Sequence, residues 1–393
     1  MFIPGRIEIL GKHTDYCGGR SIVCAIDRGF HVEIESHSDP IIVLENRDIS
    51  ERVSVDLSDP TVLPGHWGNY AVEVIRRLSA NFPDDLKDGA LIRFHSDLPK
   101  AAGLSSSSAL MIMVYAALDA VNGINRSGRY QDNIHSDIDL AEYLGCIENG
   151  QSFRDLAGSA GVGTFGGSQD HAAILLGKAD KLSGFSFSPL RHDADFSFPN
   201  THTFVVASSG VTAEKTGAAR DSYNRVSRMV SEITSVLGKG LTLAGMLEEF
   251  GVEEVLSKIR QMRSTFTTRE LLERVEQFRI ENFEIIPAVS DLLAEGRIDD
   301  IGDAIDLSQE NAERFLGNQI AETAFLQRSA REIGAVAASA FGAGFGGSAF
   351  AIMRSSDADH FRDEWRRGYT RKFPQHRGTS EFFITRPSQI AIA

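Results

Sequence analysis

Three short segments, spread from residue 4 to residue 348, constrain this chain most, because each puts small residues where a strand or helix begins or ends. The first, Pro4-Gly5-Arg6-Ile7-Glu8-Ile9-Leu10-Gly11-Lys12-His13-Thr14-Asp15-Tyr16, is an alternating run that stops at a glycine and is followed by polar side chains. A strand ending this way delivers several hydrogen-bonding groups to one point, as a pocket for a polyhydroxylated ligand requires. By itself the segment also suits a surface hairpin. The second, Pro99-Lys100-Ala101-Ala102-Gly103-Leu104-Ser105-Ser106-Ser107-Ser108-Ala109, runs into an apolar helix without a polar spacer. Small residues let a ligand approach the backbone there, and the helix start offers free amides and a positive dipole end. This is a phosphate cradle without the P-loop lysine; a serine-rich helix cap is the plainer alternative. The third, Ser339-Ala340-Phe341-Gly342-Ala343-Gly344-Phe345-Gly346-Gly347-Ser348, suits unusual dihedrals or a close approach of two backbones, and alone it reads as a connecting loop.

The length of 393 residues predicts two or three domains with ample core, and 42% hydrophobic with 24% charged residues argues against global disorder. A net charge of -14 leaves no broad basic face, so nucleic acid is not an expected partner and an anionic ligand must be met by a local device. Cys17, Cys24 and Cys146 are odd in number and lack metal-ligand spacing, which predicts free thiols in a reducing, cytoplasmic setting. The first motif follows Met1 so closely that no signal peptide is expected. The uncharged run from Ile333 to Met353 is long enough to suggest a membrane span, but its glycines crowd the second half. It is expected to be a helix, a glycine loop and a strand, with no membrane association.

Alternation predicts strands in a mixed sheet over 21–35 and 40–44, and a further strand over 90–95. Helical spacing covers Trp67 to Phe82, Ala109 to Val121 and Ile138 to Gln151. The apolar run Ala172 to Leu176 follows Gln169-Asp170-His171. The polar, proline-bearing passage Ser186 to Asn200 marks a domain boundary, giving expected domains of 1–190 and 191–393. Beyond it come a strand at 203–207, a long helix over 213–237, several helices up to Val336, a helix over 358–371 and a strand over 381–386. The predicted class is α+β.

Taken together and in this order, the three segments resemble the GHMP kinases, and among them the galactokinases. The first is similar to the signature Gly-Arg-x-x-x-x-Gly-Glu-His-Thr-Asp-Tyr with Lys12 in place of glutamate. The second is similar to the Gly-Leu-Ser-Ser-Ser-Ala ATP loop with Ser108 in place of alanine, and the third to the closing glycine motif. The resemblance implies a two-domain fold with its active site in the interdomain cleft. It implies ATP-dependent transfer of a γ-phosphoryl group to the anomeric hydroxyl of galactose or a related sugar, and a monomer or weak oligomer.

By the same resemblance Asp170 is the catalytic aspartate and Arg6 the arginine beside it. An adjacent guanidinium keeps a carboxylate ionised but makes it a weaker base, so Asp170 is either a general base or an electrostatic orienter. Ala101, Ala102, Gly103, Leu104, Ser105, Ser106 and Ser107 would bind the nucleotide, and Ser107 with Glu148 would hold Mg²⁺. The stretch from Glu148 to Asp170 is longer than usual in the family, and a solvated helix-face glutamate is the alternative for Glu148. Lys12, His13, Thr14, Asp15 and Tyr223 would contact the sugar, with Trp67 and Tyr70 bordering the adenine or filling the core. Lys12 donates hydrogen bonds where glutamate accepts them. That swap points either to a different sugar, such as a uronic acid, or to a lysine that turns outward or pairs with an acid. A non-catalytic sugar and ATP sensor is a third reading, disfavoured by the complete serine loop with Arg6 and Asp170.

Overall fold

The computed structural model describes residues 1–61, 66–212, 217–236 and 240–392, with the side chains of 217–223 also outside the description. Along the chain come β1 (Phe2–Leu10), β2 (Arg20–His37), β3 (Ile41–Asn46), β4 (Glu51–Asp56), α1 (Asn69–Asn81) and β5 (Gly89–Ser96). Then follow α2 (Ser106–Asn122), the short α3 (Gly128–Gln131), α4 (Asp137–Asn149), α5 (Gln169–Leu176), β6 (Lys181–Ser186) and β7 (Arg191–Ser197). The second half holds β8 (His202–Ser208), α6 (Gly217–Ser235), α7 (Leu243–Phe250), α8 (Val252–Gln261), α9 (Thr268–Ile280) and α10 (Ile286–Ala294). It ends with α11 (Gly302–Asn311), α12 (Ala321–Glu332), β9 (Ala337–Phe341), β10 (Ser348–Arg354), α13 (Ala358–Lys372) and β11 (Glu381–Thr385).

The predicted α+β class holds. A mixed seven-stranded sheet runs β4-β3-β5-β2-β6-β7 with β1 on β2, and β3 and β5 form its parallel pair. A four-stranded antiparallel sheet runs β11-β8-β10-β9. β7 pairs with β6, so the change of sheet falls between Ser197 and His202, at the end of the polar passage 186–200. One apolar core continues from Ile7, Ile9 and Ile92 through Met111 and Met113 to Phe204, Phe341 and Phe350, which locks the two sheets together. Burying this much apolar surface is the main force holding the halves in register.

The segment ending at Phe341 departs from expectation. Residues Ala337–Phe341 form a strand, not the end of a helix, and pair antiparallel with β10 around the glycine loop. Their run of small, uniformly buried residues has no period of its own, so tertiary pairing overrides the helical preference of alanine. The expected helix over 213–237 appears as α6, while 213–216 and 237 lie outside the described residues. Among the described residues no helix is long and apolar enough to cross a membrane.

Candidate active site

β1 carries the first motif into the centre of the molecule. Its alternation sends Ile7 and Ile9 into the core and turns Arg6 and Glu8 to the opposite face, toward α5. The strand ends at Gly11, whose φ of +104° and contact with Ser21, 2.5 Å from where a Cβ would stand, leave no place for a side chain. α5 then presents two consecutive side chains to β1. Arg6 Nε donates to Asp170 Oδ1 at 2.7 Å, with only 5% and 18% of the two side chains exposed. Gln169 Nε2 donates to Glu8 Oε2 at 2.6 Å. These are two parallel rungs between one strand face and one helix start.

A narrow cavity of about 40 Å³ lies over these rungs, walled also by His13, Asp15, Tyr16, Glu148 and Ala343. The Nε2 of His13 meets the carbonyl of Ala343 at 3.1 Å and its Nδ1 meets the Tyr16 hydroxyl at 2.8 Å. Since a carbonyl only accepts, Nε2 carries the proton and Tyr16 donates to Nδ1. Asp15 accepts from the Gly167 amide at 3.0 Å and from the Tyr16 amide at 2.9 Å. A Cβ on Gly167 would stand 2.5 Å from Asp15 Oδ2, so only glycine lets the carboxylate sit on that backbone. Burial pushes the Asp15 carboxyl above the ordinary aspartate value, against those hydrogen bonds. Burial also pushes Glu8 up to about 7, although Arg6, Lys12 and Gln169 pull the other way.

Two expected sugar contacts face elsewhere. Lys12 is 1% exposed and does not line the cavity; its ammonium donates to Ser308 Oγ at 3.1 Å and Ser339 Oγ at 2.9 Å. Ser308 passes the contact to Glu281 Oε1 at 2.9 Å, which also accepts the Gly11 amide at 3.0 Å. The lysine is thus linked to an acid through a hydroxyl; it lies with His13 in the turn after β1, where His13 takes a left-handed φ of +57°. Thr14 is fully buried, its hydroxyl 2.6 Å from the carbonyl of Arg20 and 2.9 Å from that of Gly11, where it ties the turn together. The side chain of Tyr223 lies outside the described residues.

The serine loop joins the first and third motifs. Arg6 donates to the carbonyl of Gly103 from its guanidinium and to that of Leu104 from its backbone amide at 3.1 Å. Ser348 donates to the carbonyl of Ala102 at 2.7 Å, which fixes the closing glycine loop against the serine loop. Ala102 and Leu104 turn their side chains into the core. Ser105 takes a left-handed φ of +59° at the start of α2, and its buried hydroxyl has no hydrogen-bond partner among the described residues. Ala101, Ser106 and Ser107 border a separate cavity of about 490 Å³, whose walls are mainly apolar and include Trp67, Tyr70, Phe30 and Phe94. Flat aromatic walls beside a helix start with free amides suit a base joined to phosphates.

Glu148, at the end of α4, faces the narrow cavity. It accepts from Ser108 Oγ at 3.3 Å and Thr164 Oγ1 at 3.2 Å, with His171 Nε2 at 3.8 Å. Ser108, the hydroxyl that replaces the usual alanine, is therefore a partner of Glu148. The long connection after Glu148 folds back on it, through Val162 to the carbonyl of Glu148 at 3.0 Å. It also packs on α1, where buried Arg77 reaches the Ser159 hydroxyl at 3.2 Å. Glu148 and Ser107 are hard oxygen donors of the kind Mg²⁺ takes. No cluster of three or more His, Cys, Asp or Glu among the described residues is arranged to hold a metal. A cation here would take its other ligands from phosphates and water, the usual state of Mg²⁺.

Sequence reasoning missed Glu8 and Gln169, whose signals were spacing two from Arg6 on an alternating strand and adjacency to Asp170. It also missed the support from α9, where Arg274 Nη2 donates to the carbonyl of His13 at 2.6 Å and Gln277 to that of Lys12 at 3.3 Å.

Comparison with known proteins matches three family descriptions. The galactokinase galactose-binding signature covers residues 2–35, the GHMP kinases N terminal domain 69–178 and the GHMP kinases C terminal 289–371. A galactokinase of Thermococcus kodakarensis is 28% identical over 99% of this chain and 98% of its own length. One of Halalkalibacterium halodurans is 28% identical over 95% of this chain and 87% of its own. Among solved structures, Lactococcus lactis galactokinase complexed with galactose superposes with a TM-score of 0.79 at 20% identity, covering 100% of this chain and 94% of that one.

Proposed function

We propose that this chain, which belongs to the GHMP kinases and is galactokinase-like among them, is an ATP-dependent sugar 1-kinase acting on galactose. The observation that carries the reading is the buried Arg6–Asp170 pair at the floor of a polar cavity, between His13 and Asp15 on one side and the serine loop on the other. Asp170 accepts the proton of the anomeric hydroxyl as the sugar oxygen bonds to the γ-phosphorus, and the bond from that phosphorus to ADP breaks. Arg6 steadies the negative charge spread over the transferring group. Asp15, held in place by the Gly167 amide, accepts from the ring hydroxyls, and His13 lines the same cavity with its ring fixed by Tyr16 and Ala343. The aromatic cavity at Trp67 and Tyr70 is assigned to the base, and the start of α2 to the phosphates.

Glu148 and Ser107 are the residues that would hold Mg²⁺, which neutralises phosphate charge during transfer. The burial of Lys12 away from the cavity supports a neutral sugar over a uronic acid, because its ammonium is committed to Ser308 and Ser339. The test is ADP release from Mg-ATP with galactose, glucose, mannose, fucose and the uronic acids. Galactose should give turnover, and Asp170→Asn should lower kcat by about 10³-fold without loss of folding. Failure of every sugar to release ADP sinks the reading, and a uronic acid ranking first sinks the choice of galactose.

A further inference from the structure

Glu8 has no role in the reading above, yet it is a carboxyl in the wall of the catalytic cavity and only 5% exposed. One of its oxygens takes the Gln169 amide at 2.6 Å, and the other, Oε1, is buried with no hydrogen-bond partner among the described residues. Leaving a buried carboxyl half satisfied is unfavourable, and an amide or an aliphatic side chain would complete the wall with less strain on the fold. What the carboxyl supplies that these do not is charge.

The charges around it are defined. Arg6 from the same strand and Lys12 from the following turn favour a negative charge on Glu8, and Asp170 from α5 disfavours it. Glu148, Asp15 and His13 face the same cavity from α4 and the turn after β1. Arg6 pairs with Asp170 on one rung while Glu8 holds Gln169 on the next. With Arg6 as its sole charged neighbour, Asp170 would be a poor proton acceptor, because a guanidinium favours the ionised carboxylate.

Resting on the sugar-kinase reading, we propose that Glu8 is a positioning residue for the transfer. It fixes the Gln169–Asp170 turn and sets a negative charge against Arg6, so that Asp170 keeps the proton affinity of a general base. Burial places the titration of Glu8 near 7, so this assistance switches on as pH rises through neutrality. Below that range Asp15 is the carboxylate left to oppose Arg6 at Asp170, and Asp170 is the weaker acceptor.

The experiment compares wild type, Glu8→Gln and Glu8→Asp, with thermal unfolding recorded for each. The readouts are kcat and KM across the neutral pH range, and carboxyl ¹³C NMR of labelled aspartate, with the Asp170 signal assigned through Asp170→Asn. Glu8→Gln should lower kcat above neutrality by about tenfold with KM within about threefold, and should abolish the rise of kcat near neutrality. Its Asp170 signal should titrate at lower pH than in wild type, and Glu8→Asp should restore the limb in part. A Glu8→Gln profile parallel to wild type, or an unmoved Asp170 titration, overturns the proposal even if kcat falls. Should Glu8→Gln fail to fold, the wild-type Asp170 signal decides, since coupling to Glu8 requires a second inflection near neutrality and its absence overturns the idea. If wild type turns over no sugar, the kinase reading falls, while the NMR titration still decides whether Glu8 governs Asp170.

Discussion

The opening segment feeds two buried charge clusters that are built differently. On the cavity side Arg6 touches Asp170 directly, Glu8 keeps an oxygen without a partner among the described residues, and both open onto solvent-sized space. On the other side Lys12 meets Glu281 through Ser308, with Ser339 as its second acceptor, and it is not in the wall of the narrow cavity. The first arrangement keeps charge available to a ligand. The second uses it to clamp residues 11–14 onto α11, β9 and the wide π-helical turn Glu281–Ile285 that joins α9 to α10. Such turns recur where a helix must bend around a functional contact. Adjacent residues in one motif thus serve ligand and scaffold separately.

The contrast breaks most visibly at Lys12. Lys12→Met should destabilise the fold by about 3 kcal/mol, because Glu281 is left buried without its cationic neighbour. Denaturant unfolding measures this, and the ranking of galactose against uronic acids should not move. A changed ranking with unchanged stability would return Lys12 to the sugar pocket and erase the distinction between the two clusters.

The cavity-side cluster has its own stability signature. Burial raises the Glu8 carboxyl from an ordinary 4.5 to about 7, so between these values the folded chain keeps a proton that the unfolded chain releases. Stability from this group is therefore complete below the lower value, falls as pH rises through the window, and is gone above the upper one. Glu8→Gln should flatten that slope and stabilise the protein above neutrality by about 2 kcal/mol, less than the full shift because Glu8 is coupled to Arg6 and Asp170. Chemical unfolding at acid and neutral pH, compared with wild type, reads the slope. An equal slope in both proteins would mean that Glu8 is solvated as a normal carboxylate.

Much of the site was legible because its parts are local. Arg6, His13 and Asp15 lie within one strand and turn, Ser105 to Ser107 begin one helix, and Asp170 begins another, so each motif carries its own geometry. What could not be read depends on distant packing. Nothing near Lys12 signals that Ser308 and Ser339, some three hundred residues away, receive its ammonium. Glu8 reads as an outward-facing residue of an alternating strand until α5 covers that face. The strand Ala337–Phe341 has no period at all, since both its faces are buried.

The smallest effect is expected where apolar contact replaces charge. Trp67 packs edge-on against Phe94 at 5.7 Å between ring centroids, and its indole nitrogen donates to Glu51 at 2.6 Å, so the ring is held at the wall of the larger cavity. A base seated there would lose one aromatic face in Trp67→Ala. The expected result is a rise in KM for ATP of about fivefold, or about 1 kcal/mol, with kcat and the KM for galactose little changed. Isothermal titration of ATP analogues checks the same term without turnover. An effect on the sugar instead would show that the two cavities exchange occupants, and that the polar cluster on β1 is not the acceptor site.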